Sequence, residues 1–132
     1  MTVSSAPGKP AAFIFEMPDC FRNTVGLAPD RWQHIVEFHP EMEGLQDVIA
    51  GVVADPTQIS TSTRQPLHFI FDGHKRLLPS PKIVRVVIKY MAADIKSGST
   101  TGQIVTAYGP MRSNTGEIGE VIYFAGVERK TR

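Results

Sequence analysis

The chain has a single cysteine, Cys20, and therefore no intrachain disulfide. A reducing compartment, the cytoplasm, is the simpler setting for such a chain. One thiol is also no catalytic motif, and a free cysteine more often behaves as a small hydrophobe. Charge of one sign is missing too: 14 Lys and Arg stand against 13 Asp and Glu, a net of +1, so the total neither demands nor excludes a nucleic-acid partner. Local potential depends on where charges sit, and a basic cleft is compatible with a near-neutral sum. No apolar run is long enough to span a bilayer, and Met1 to Pro10 carry no apolar core of a signal peptide. No membrane partner is expected.

Several motifs are also missing. The four histidines, His34, His39, His68 and His74, have no zinc spacing and no cysteine pair beside them. His39-Pro40-Glu41 looks like a ligand pair, but the proline breaks helical spacing. Gly98-Ser99-Thr100-Thr101-Gly102 lacks the Lys-Ser/Thr pair of a phosphate loop, and there is no nucleophile elbow or dinucleotide fingerprint. Neither a metal nor another cofactor is expected.

What is present fits one folded domain. At 42% hydrophobic and 20% charged residues, the 132-residue chain is too apolar for a disordered protein and large enough for a real core. Residues 1–10, rich in Ser, Pro and Gly, read as a flexible tail, and 11–132 as a single domain. Ala12 to Met17 and Thr24 to Leu27 suit a small hairpin. Pro29-Asp30 opens a helix that runs to about His39, before Pro40. A second helix starts at Glu41, with Leu45, Val48, Ile49, Val52 and Val53 on one stripe, and ends at Asp55-Pro56. Ile59 to Pro66 reads as a Ser/Thr-rich connector. Strands are expected over Leu67 to Phe71, before an Asp72-Gly73 turn, and over Lys82 to Met91, Gln103 to Tyr108 and Glu120 to Val127. The expected fold is α+β, two N-terminal helices packed on a roughly four-stranded antiparallel sheet.

Alternation places Val84, Val86, Ile88 and Tyr90 on a core face, with Arg85, Val87, Lys89 and Met91 opposite. Thr106 and Tyr108 share a face with Ile104. Pairing of these two strands permits Lys89 to approach Thr106 and Tyr108, with the register left open. Each residue also has an ordinary reading: a solvated lysine, a β-branched strand residue, an edge tyrosine, a helix histidine.

The order of the pieces resembles the phage and bacterial RNases that share the fold of barnase, EndoU, the colicin RNases and RelE. The resemblance rests on Trp32-Gln33-His34-Ile35, His39-Pro40-Glu41, Val53-Ala54-Asp55-Pro56, Val86-Val87-Ile88-Lys89 and Val105-Thr106-Ala107-Tyr108. It covers roughly residues 25 to 110. It implies a metal-independent endoribonuclease, in some settings a toxin, that cleaves RNA by 2′-hydroxyl attack to a 2′,3′-cyclic phosphate. The implied catalytic residues are His34, Lys89, Thr106 and Tyr108, with Arg64 and Arg85 as substrate-binding candidates. His34 would move the proton and Lys89 would neutralise the phosphorane. The implied partners are RNA and a cognate immunity or antitoxin protein. Two other readings stay open. One is a non-catalytic RNA- or protein-binding module on the same fold. The other is a structural phage or secretion-associated domain without nucleic-acid contact.

Overall fold

The computed structural model describes residues 13–74, 83–110 and 116–125. The chain starts with a hairpin, β1 (Phe15–Pro18) against β2 (Thr24–Leu27), antiparallel with Phe15 opposite Leu27. Asp19 holds its turn. One carboxylate oxygen accepts the amides of Phe21 and Asn23 at 2.8 and 2.9 Å. The other accepts the Asn23 side-chain amide at 2.9 Å and the Tyr90 hydroxyl at 2.7 Å. Asn23 also donates to the Ile95 carbonyl at 2.7 Å, so one buried polar knot joins the hairpin to the sheet centre and to the 94–100 loop. A buried carboxylate is tolerable only with its lone pairs filled in this way.

Helix α1 (Pro29–Phe38) follows, with Pro29 in its first turn, and buries Ile35. It packs beside strand β6 (Thr101–Tyr108), where β2 leaves that strand's edge. Pro40 ends the helix, as expected. The second helix is shorter than its stripe promised. A 3-10 turn at Pro40–Met42 and Gly44, with φ of +79°, precede α2 (Gln46–Ala54). Ile49, Val52 and Val53 of α2 are buried at the i, i+3 and i+4 positions. α2 packs on β4 (His68–His74) and β5 (Ile83–Tyr90).

Among the described residues the sheet has seven strands and is mixed, where roughly four antiparallel strands were expected. With β3 (Gln58–Ser62) and β7 (Ile118–Phe124), its order is β1-β2-β6-β5-β4-β3-β7. Two features account for the difference, and a third lengthens β4. The N-terminal hairpin joins the sheet, because β2 pairs in parallel with β6, Thr24 opposite Thr101. The supposed connector contains β3, whose Ile59 and Ser60 are fully buried. Asp72-Gly73 is not a turn but lies inside β4. A Cβ on Gly73 would stand 2.7 Å from Val52 Cγ2, so the glycine allows α2 to sit close on the strand. The expected last strand begins earlier, at Ile118, and the expected 126–127 extension, the 1–10 tail and Lys82 lie outside the described residues.

One face of the sheet is apolar. Val84, Val86, Ile88 and Tyr90 are each fully buried, as alternation predicts, together with Phe71, Ile104 and Ala107. Each buried Val or Ile side chain contributes about 1.5–3 kcal/mol, which makes this layer the main source of stability. The other face is polar. Register aligns Gln58, Asp72, Arg85 and Tyr108 in one row across β3, β4, β5 and β6. Ser60, Ile70, Val87 and Thr106 form the next row, and His68, Lys89 and Gln103 the third. A bulge in β6 between Ile104 and Thr106 creates this arrangement. It leaves Ile104 opposite Ile88 on the apolar face but turns Thr106 and Tyr108 to the polar one, correcting the expectation that the three share a face. It also sets Arg85, not Lys89, opposite Tyr108.

Candidate functional site

A groove of about 330 Å³ opens at the third polar row. Lys89 of β5, Arg31 of α1, Met91 and β6 residues 101–105 line it. Lys89 and Met91 are exposed. Among the described residues neither Arg31 nor Lys89 takes part in an ion pair. The Arg31 Nε is buried and has no hydrogen-bond partner. Two cations from different elements thus share one concave surface with the Thr101 hydroxyl, the Gln103 amide and strand backbone. Such a surface suits an anion with several acceptor oxygens, because arginine presents a planar fork and lysine a mobile point charge.

α1 extends this surface. Arg31, His34 and Phe38 stand at i, i+3 and i+7, so they line one side of the helix. The His34 and Phe38 rings lie 4.8 Å apart, tilted by 44°. His34 is half-buried, whereas Phe38 is 62% exposed.

At the other end of the polar face the charges are paired. Arg85 binds Asp72 through two hydrogen bonds, Nε to Oδ1 at 2.8 Å and Nη2 to Oδ2 at 3.0 Å. Its Nη1 donates to Glu117 Oε1 at 3.0 Å, and the Tyr108 hydroxyl donates to that same oxygen. Three strands separate β7 from β6 in the sheet, yet Glu117, at the threshold of β7, reaches Tyr108 of β6. The Glu117 side chain therefore reaches across the polar face, from the irregularly paired β3–β7 edge to Arg85 and Tyr108. His39 stacks on Tyr108 at 5.0 Å, and its Nδ1 lies 3.9 Å from Glu41. Burial opposes the Arg85 charge, but the Asp72 and Glu117 bonds outweigh it and hold its pKa above the ordinary value. Burial, and then the bond to Glu117, also raises the Tyr108 phenol. One guanidinium faces two carboxylates here, so this end resists further negative charge and works as a clamp.

The expected site residues therefore divide. Lys89, Thr106, Tyr108 and Arg85 share the polar sheet face, in three different rows. Lys89 lines the open groove. Tyr108 and Arg85 belong to the clamp. The Thr106 Oγ1 is buried between them without a hydrogen-bond partner. His34 lies on α1, on the helical side of Arg31. Arg64 is exposed in the turn after β3, its amide 3.1 Å from Ser62 Oγ. Burial, then the Asp19 charge, pushes the Cys20 thiol up to about 12, which removes it as a nucleophile.

Arg31 was not anticipated, although its position one turn before His34 was the available signal. Asp72 was hidden by the Asp-Gly pair, and Glu117 by a long separation in sequence. Among the described residues no three His, Cys, Asp or Glu side chains converge on a metal-sized site. No described helix is long and apolar enough to cross a membrane. Comparison of the chain with protein-family models, curated proteins and solved structures finds no significant match.

Proposed function

We propose that this chain binds RNA and that the Arg31–Lys89 groove receives its phosphodiester. The observation that carries this reading is the pair of cations from α1 and β5 on one groove, neither offset by a carboxylate among the described residues. A lysine and an arginine that line one groove for structural reasons would ordinarily be neutralised, since like charges on one surface repel unless an anion lies between them.

The endoribonuclease reading is the catalytic form of the same proposal. It is favoured by His34, one helical turn from Arg31, and by the resemblance to the barnase, EndoU, colicin RNase and RelE group. In that form His34 exchanges the proton with the 2′-hydroxyl or the 5′-oxygen, and Lys89 and Arg31 balance charge on the phosphorane. The product is a 2′,3′-cyclic phosphate, and a toxin of this kind would carry an antitoxin partner in the cytoplasm. Tyr108 is better suited to a structural part, because its hydroxyl proton is already given to Glu117.

The test is RNA binding as a function of salt. With two phosphate contacts to a single strand, the slope of log K against log salt is expected near about −1.4. Lys89→Ala and Arg31→Ala should each weaken binding and bring the slope about 0.7 closer to zero. Binding that ignores salt, or variants that bind as the parent does, would remove the proposal.

A further inference from the structure

We infer that the Phe38–His34 ring pair is a base-stacking platform, and that the ligand of the groove is accordingly a single strand with an unpaired base. The inference rests on the reading of the groove as a phosphodiester site and adds the form of the nucleic acid. Met91 and Phe38 are the two most exposed large hydrophobic side chains among the described residues, at 76% and 62%. Both border the cationic groove or its helix: Met91 lines it, and Phe38 stands two turns along the helix from Arg31. An aromatic ring held in water beside a cationic surface offers a π-face to a nucleobase without sequence preference. His34, 4.8 Å away, stiffens the ring from one side and widens the stacking surface. Arg31 and Phe38 are seven residues apart, about 10 Å along the helix axis, a span that a dinucleotide covers with its phosphate at one end and its base at the other.

The same geometry argues against a duplex. Bases of an A-form helix are stacked inside, and their faces are unavailable to a protein ring. A single strand can turn one base out onto Phe38 while its backbone stays on Arg31 and Lys89. Nothing in this arrangement requires a specific base.

The experiment measures binding of a short 2′-O-methyl oligonucleotide, which lacks the attacking hydroxyl and survives a nuclease. The same strand with abasic residues and the corresponding duplex are compared with it. The parent protein should prefer the base-bearing single strand over both by roughly ten-fold. Phe38→Ala should abolish that preference without unfolding the exposed helix face, checked by circular dichroism, and Phe38→Tyr should keep it. Lys89→Ala should weaken base-bearing and abasic strands alike. A Phe38→Ala protein that still prefers the base-bearing strand overturns the platform, as does a parent protein with no preference for it. If Lys89→Ala is silent while Phe38→Ala is not, the groove reading fails and the platform survives. If no strand binds, both are lost.

Discussion

Arg85 and Tyr108 stand opposite each other in the β5–β6 register and converge on one carboxylate oxygen of Glu117. The contact ties distant strands together, because Glu117 stands at the start of β7, at one edge of the sheet, and the other two on β5 and β6. Removing the carboxylate leaves a guanidinium, only 6% exposed as a side chain, with one of its two acidic partners. Glu117→Ala is therefore expected to cost about 2 kcal/mol, the scale for losing a hydrogen bond to a charged group while Asp72 still holds the guanidinium. Tyr108→Phe, which removes a single hydrogen bond, should cost about 1 kcal/mol. Urea denaturation of both variants measures this, and a Glu117→Ala protein as stable as the parent would mean the clamp carries no load.

How far the sequence could reveal this fold depends on how local each signal is. Pro29 and Pro40 bracket α1 by their own backbone chemistry, and the alternation of β5 follows from its β-branched residues. Both were legible. β3 was not, because Gln58-Ile59-Ser60-Thr61-Ser62 carries hydroxyls where a strand ordinarily alternates apolar residues, and only its neighbours β4 and β7 explain why Ser60 is buried. Gly73 reads as a turn unless the Val52 methyl above it is known. The candidate site suffered from the same limit. Lys89 and His34 were visible as residue types, but the extra residue in β6 decides which side chains face them, and no local pattern encodes that bulge.

Alkaline pH should destabilise the protein through buried protons. Burial and the Asp19 bond raise the Tyr90 phenol, and burial with the Glu117 bond raises Tyr108. The Cys20 thiol is pushed up to about 12 by burial and by Asp19. In each case the folded form keeps a proton that the unfolded chain releases, so stability is full below the unfolded value and falls as pH climbs past it. The decline should begin near about pH 9 with Cys20 and steepen above about pH 10 with the tyrosines, by about 1.4 kcal/mol per pH unit for each tyrosine. Thermal melts from pH 7 to 11 test this. Tyr90→Phe should start from a lower stability but fall less steeply, and an identical slope in that variant would show that Tyr90 does not carry the effect.

His34 separates an RNA-binding protein from an RNA-cleaving one. Its ring lies against Phe38 on the same side of α1 as Arg31, and it is the one imidazole within that helix. If the chain is an endoribonuclease, His34→Gln should cut the rate of cyclic-phosphate formation by a factor of about 10²–10⁴, with EDTA present or absent, while binding of an uncleavable strand changes little. Lys89→Ala should lower both rate and affinity, because phosphate contact serves the ground state and the phosphorane alike. A parent protein that retains RNA in a salt-dependent manner but releases no cyclic-phosphate product, with His34→Gln indistinguishable from it, would assign the groove to recognition alone and leave His34 as a stacking partner for Phe38.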